Sequence, residues 1–166
     1  MNKIYSSGYF SFKQRLIKNL YAIIFLSFIT LASILGNPLI FLRLMPILAI
    51  SIIFTALMYF ANRNAKNYIY QVEIENEDLI FYGETYSKEW KKIVLGKDIT
   101  MDFKLSGSAL NLFHILKFTS TDNSFEINEY NDWHPDLLVE IFERVKEIQN
   151  EKITPEEREV INRVIK

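Results

Sequence analysis

Hydrophobic positions follow two different rhythms along this chain. From Leu20 to Ala61 they run almost unbroken. Leu20 to Leu35 is free of charge, and Leu39 to Ala61 holds only Arg43. Gly36-Asn37-Pro38 separates the runs, because Pro cannot continue a helical hydrogen-bond ladder and Gly admits dihedrals that end one. A bilayer core takes about 20 residues of helix. The pattern therefore predicts a two-helix transmembrane hairpin over residues 20–61. The second helix is expected at about Leu44 to Ala61, with Pro46 near its start, where Pro is tolerated. The competing reading is a buried hairpin inside a domain core.

After Asn67 the period changes to two. Tyr68, Tyr70, Val72 and Ile74 alternate with Ile69, Gln71, Glu73 and Glu75, which predicts a strand with one apolar face. Asn76-Glu77-Asp78 reads as a turn into a second strand, Leu79 to Tyr86. Further strands are expected at Trp90 to Leu95, Ile99 to Leu105, Leu112 to Thr119 and Phe125 to Glu129, with Ser106-Gly107-Ser108 and Thr121 to Ser124 as breaks. Pro135 suits the first position of a helix, with Asp132 or His134 near its cap. Leu137, Leu138, Ile141, Phe142, Val145 and Ile148 form its apolar stripe, and Glu140 and Arg144 are placed as an i,i+4 pair on the other face. Thr154-Pro155-Glu156-Glu157 matches a capping box that opens a second, short helix.

The expected fold class is thus a membrane α-helical hairpin plus an α+β domain, an antiparallel sheet closed by a helix. The domain plan is a juxtamembrane segment 1–19, the hairpin 20–61, the α+β domain 68–150 and a C-terminal helix 154–166.

Charge sharpens the division. Residues 1–72 contain seven basic side chains and no Asp or Glu, whereas the remainder holds 20 acidic and 12 basic ones. Lys3, Lys13, Arg15 and Lys18 precede the first run, Arg63 and Lys66 follow the second, and the loop holds Arg43 alone. By the positive-inside rule both termini are expected in the cytoplasm, with the chain a multi-pass protein of the inner membrane. Tyr5, Tyr9, Phe10, Phe12, Tyr21, Tyr59 and Phe60 are placed as an aromatic belt. Ala32-Ser33-Ile34-Leu35 is a poor cleavage site, which argues against a signal peptide.

The strands from Tyr68 to Tyr82, Trp90 with Ile93, Ile99 to Leu105, Leu112 to Ile127, and the helix Asp136 to Ile148 resemble the layout of bacterial pleckstrin-homology-like (PH-like) domains, as in the YcxB-like families that carry such a domain behind paired membrane helices. The resemblance implies a binding or scaffolding module rather than an enzyme.

The residues themselves show no catalytic constellation. No GxSxG, Walker loop or GxGxxG occurs, and there is no cysteine. His114 and His134 with Asp132 and Asp136 lack metal-ligand spacing and read as a half-buried and a capping histidine. Asp98 and Asp102 are placed on one strand face as solvated carboxylates. No enzyme activity, metal or cofactor is expected. Nucleic acid is disfavoured, because the domain is net acidic and phosphate contacts dominate that affinity. Lys88, Lys91, Lys92 and Lys97 cluster around Trp90 as candidate lipid-headgroup contacts. Val160, Ile161, Val164 and Ile165 make a stripe too short to hold a helix alone, and are placed as a partner-docking element, with folding back onto the domain as the alternative. The expected function is a membrane-anchored accessory protein that binds a protein partner or itself. A lipid-sensing module and a membrane immunity protein that neutralises a toxin are the alternatives.

Overall fold

The structure, a computed structural model, describes residues 2–18, 20–21, 25, 51–52, 54–59, 61–63, 65–108, 111–121 and 123–164. The chain forms two compact units. One comprises Met1–Tyr9, Tyr68–Glu84 and Glu89–Lys166; the other comprises Phe10–Asn67 and Thr85–Lys88.

Strands β1 (Lys3–Ser6), β2 (Asn67–Glu75), β3 (Asp78–Thr85) and β4 (Lys88–Leu95) lie in that order in one sheet. Strands β5 (Thr100–Ser108), β6 (Asn111–Thr119) and β7 (Ser124–Asn128) form a second, antiparallel sheet. The expectation of a single sheet is corrected: among the described residues there are two, of four and three strands. The 3-10 turn Gly96–Asp98 separates them, and Gly96 leaves no room for a Cβ against the Glu77 carbonyl. Helices α1 (Pro135–Gln149) and α2 (Pro155–Val164) follow the strands.

Local chemistry explains most boundaries. Asn76 takes φ 57° in the two-residue turn between β2 and β3, a left-handed conformation that Asn tolerates well. Ser106-Gly107-Ser108 does not break β5. The strand runs to Ser108, pairing Gly107 (φ 120°) with Leu112 and Ser108 with Asn111. Along β2 the simple alternation fails: Ile69, Val72 and Ile74 all join the core, while Tyr70 packs edge-on against Tyr9 at 5.3 Å. β1 adds an element with too few residues to show a period. Its Tyr5 lies opposite Val72 and is 2% exposed.

The core of this unit is aromatic. Phe81 stacks on Phe125 at 4.4 Å and meets Phe118 edge-on at 5.1 Å, which ties β3 to the second sheet. Trp90 lies against Phe125 at 6.0 Å and crosses Gly83, where any Cβ would overlap the indole. From α1, Leu138, Ile141, Phe142 and Val145 are fully buried, and Phe142 stacks on Phe103 at 5.3 Å. His134 caps this helix by accepting from the Asp136 N–H, and Pro135 follows at its first position.

Both halves of the capping box form at α2. The Glu157 N–H donates to Thr154 Oγ1 at 3.2 Å, and the Thr154 N–H donates to Glu157 Oε2 at 2.8 Å. Ile161 is 6% exposed within the core, and Ile153, Val160 and Val164 pack against it. Lys146, itself buried, pairs with Glu151 at 2.8 Å and Glu157 at 3.1 Å. Burial disfavours its ammonium, but the hydrogen bonds and charges of the two carboxylates outweigh that, so its pKa lies above the ordinary 10.5. Tyr5 is raised above 10.0 as well, first by burial and then by Glu147, against the opposing charge of Arg144. A group with a raised folded pKa stays protonated in the native state after the unfolded chain has lost its proton. Stability is therefore full below the unfolded pKa and falls as pH rises through the folded one. Denaturant unfolding should show stability declining above about pH 10, with Lys146→Met removing part of that slope.

In the second unit, residues 12–18, 20–21, 25, 51–52, 54–59, 61–63 and 65–66 are helical. Arg15, 7% exposed, donates from Nε to the Ala65 carbonyl at 3.2 Å, from Nη2 to Tyr86 at 3.3 Å, and from Nη1 to Phe10. Tyr86 takes φ 58°, costly for an aromatic residue, and is held between Phe12 and Lys66 at 5.4 and 5.5 Å.

The membrane expectation is overturned. Among the described residues no helix is long and apolar enough to cross a bilayer. Residues 26–50, most of the expected hairpin, lie outside the described residues, as does Phe60 of the expected belt. The two-span hairpin, the bilayer as partner, and the multi-pass inner-membrane placement with both termini cytoplasmic are withdrawn with it. Hydropathy measures apolarity alone, whereas a span also needs a continuous helix of about 20 residues, and no helix among the described residues meets both requirements. The flank reading fails for particular residues too. Arg15 is spent on backbone carbonyls, and Tyr5 is buried between strand and helix.

Candidate functional site

A cleft of about 430 Å³ opens between β1 and α1, lined by Lys3, Tyr5, Glu140, Glu143, Arg144 and Glu147. Its construction is simple. Lys3 and Tyr5 are two apart on β1 and share a face. Glu140, Glu143, Arg144 and Glu147 recur at i, i+3, i+4 and i+7, the polar edge of α1 beside its apolar stripe. The expected Glu140–Arg144 pair does not form. Arg144 bonds Glu147 at 2.5 Å, and Glu140 takes Lys3. Glu143 is exposed and has no ion pair among the described residues.

At the floor lies Tyr5. Its hydroxyl is buried and has no hydrogen-bond partner among the described residues. The Lys3 ammonium lies over its ring at 5.4 Å. An unsatisfied buried hydroxyl costs about 1–3 kcal/mol. The Lys3–Glu140 bridge above it is 46% and 43% exposed at its two ends, and a bridge so exposed contributes about 0–1 kcal/mol. The cover is therefore weaker than the penalty beneath it.

The lysines expected as a headgroup cluster are all exposed, but the strand divides them. Trp90 and Val94 face the core from β4, so alternation puts Lys92 on their side and Lys91 on the other. Lys91 lies over the Tyr82 ring at 5.1 Å, and Lys97 bonds Glu77 at 2.6 Å. Lys88 opens the strand. Of the expected docking stripe, Val160, Ile161 and Val164 are used within the chain, and Ile165 lies outside the described residues.

Asp98 and Asp102 do not share a strand. Asp98 ends the 3-10 turn, and Asp102 bonds Lys104 at 2.7 Å. His114 is buried beside Phe103. Its backbone N–H donates to Glu129 Oε1 at 2.9 Å, its Nδ1 meets the same carboxylate, and its Nε2 has no partner among the described residues. His134 and Asp136 are both exposed at the helix cap. Among the described residues no group of three or more His, Asp or Glu converges as a metal site.

Sequence reasoning missed Lys3 and Tyr5 by assigning them to a membrane flank. The polar edge of α1 was legible, but its partner strand was not. Among the described residues the chain is an α+β protein with two antiparallel sheets. Compared with models of protein families, with curated proteins and with solved structures, it matches none.

Proposed function

We propose that this protein is a non-enzymatic interaction module whose partner is another protein or a second copy of itself. The observation that carries this reading is a set of large apolar side chains left exposed on helical residues of the Phe10–Asn67 unit. Ile17, Tyr21 and Phe25 recur every four residues and are 41%, 69% and 68% exposed; Ile52 and Tyr59 are 66% and 64% exposed. Large apolar side chains exposed in such number ask for a cover. The likeness to bacterial PH-like domains stays part of this reading on the order of seven strands followed by a helix, with no anchoring segment invoked. Under it, the α+β unit is the scaffold and the apolar side chains are the docking surface.

The test is the full chain beside Tyr21→Glu/Phe25→Glu, measured by light scattering over a concentration series and by recovery of a stoichiometric partner. Removing two apolar anchors of about 1.5 kcal/mol each should weaken association roughly a hundredfold. The unfolding midpoint should hardly move, since both side chains are already exposed. A wild-type chain that stays monomeric and partnerless at every concentration would overturn the proposal.

A further inference from the structure

The cleft between β1 and α1 supports an inference independent of the apolar helical side chains. We propose that it binds an ammonium or guanidinium group, the head of a small amine or of a lysine or arginine side chain. Three observations point to a cation. The lining carries three carboxylates, Glu140, Glu143 and Glu147, against two basic groups, and Glu143 is the one left without an ion pair among the described residues. The Tyr5 hydroxyl, on a side chain 2% exposed, lacks a partner and can accept a hydrogen bond from an N–H. Tyr5 lines the cleft together with Glu140, Glu143, Arg144 and Glu147 of the helix.

The third observation is the occupant already there. Lys3 bonds Glu140 and lies 5.4 Å from the centre of the Tyr5 ring. One ammonium of the chain itself thus makes both a carboxylate contact and a contact with the face of an aromatic ring, which is how proteins hold organic cations. Its side chain is 46% exposed and tethered only to a four-residue strand, so an incoming cation can displace it into solvent. The displacing group gains Glu140 and Glu143 together and satisfies the Tyr5 hydroxyl. An anion entering the same space would meet an excess of carboxylates. A volume of about 430 Å³ lies within the range of small-molecule sites and accommodates an alkyl stem behind the head group.

The experiment titrates the full chain with n-butylguanidinium, with n-butylamine, with acetylated tripeptides centred on Lys or Arg, and with butyrate as the anionic control. Binding is read by nuclear magnetic resonance shifts of Lys3, Tyr5 and the 140–147 helix edge. The cations should shift those signals and butyrate should not. Tighter binding of the tripeptides than of the free amines assigns the site to basic side chains of a protein; equal or tighter binding of the free amines assigns it to small amines. Lys3→Gln removes the internal competitor and should tighten binding about tenfold; Glu143→Gln should weaken it by a similar factor, each corresponding to about 1.4 kcal/mol. Both residues are exposed, so both variants fold. Tyr5→Phe should raise the melting temperature of the free protein and weaken binding, a combination that loss of a purely structural tyrosine would not give. Absence of cation-induced shifts, equal binding of butyrate, or a Lys3→Gln variant that binds no tighter would overturn the proposal.

Discussion

Replacing Trp133 with Ala is expected to lower the unfolding free energy of the full chain by about 4 kcal/mol, the middle of the range for a buried aromatic. The indole is 2% exposed, and its Nε1–H donates to the Ile69 carbonyl at 2.9 Å. It stands where β7 gives way to α1, after Asp132 in the left-handed region at φ 62° and directly before the His134 cap. One side chain thus fills the core and pins the entry of the closing helix to β2. Trp133→Phe separates the two contributions. It keeps most of the bulk but leaves a carbonyl unpaired, so a loss of about 1–2 kcal/mol is expected. Urea denaturation followed by circular dichroism measures both variants, and Trp90 remains as a fluorescence reporter. A loss under about 1 kcal/mol for the Ala variant would place the indole outside the core.

Deleting residues 154–166 should cost nearly as much. The deletion exposes the surface now covered by Ile161, whose burial contributes about 2 kcal/mol. It also strips Glu157 from Lys146, a buried ammonium whose remaining partner Glu151 is 57% exposed, and a weakened buried pair adds roughly 2 kcal/mol. The combined effect corresponds to a melting temperature lower by roughly 10 °C. Lys146→Met with Glu157→Gln in the intact chain checks the second contribution, because replacing both charged partners avoids leaving either one buried alone. An unchanged melting temperature after the deletion would return α2 to the role of a docking arm. Within this structure, the apolar residues Val160, Ile161 and Val164 have their partner in cis.

Much of the α+β unit was legible because its signals are local. The alternation over Ile99 to Leu105 gave β5, the apolar run from Leu112 to Thr119 gave β6, Asn76 gave the hairpin turn, and Pro135 with His134 gave the start of α1. Thr154 and Glu157 formed the box their spacing predicts. The stripe from Leu137 to Ile148 is the face that α1 turns to the core. Each of these depends on neighbours within a few residues, where steric and hydrogen-bond preferences act directly.

The membrane reading failed because composition stood in for structure. Long apolar runs and a basic flank were taken together as a span and its anchors, yet Arg15 is bonded to backbone carbonyls and Tyr5 is inside a core. For the lysines around Trp90, closeness in sequence does not show which of them share a face, because a strand sends successive side chains to opposite sides.

By itself, then, the sequence determined the strands after Asn67, the turn at Asn76 between the first two of them, and the capped helices that follow. Tertiary structure decided how the strands divide into two sheets, that Lys3–Ser6 completes the first of them, and that Tyr5 and Lys3 meet the polar edge of α1 to make a cleft. β1 pairs with a strand almost seventy residues away, Tyr5 against Val72. Four residues carry too little periodicity to announce such a pairing. It is selected by the apolar area that Tyr5 buries against β2 and α1, a sum over distant contacts that no local pattern contains.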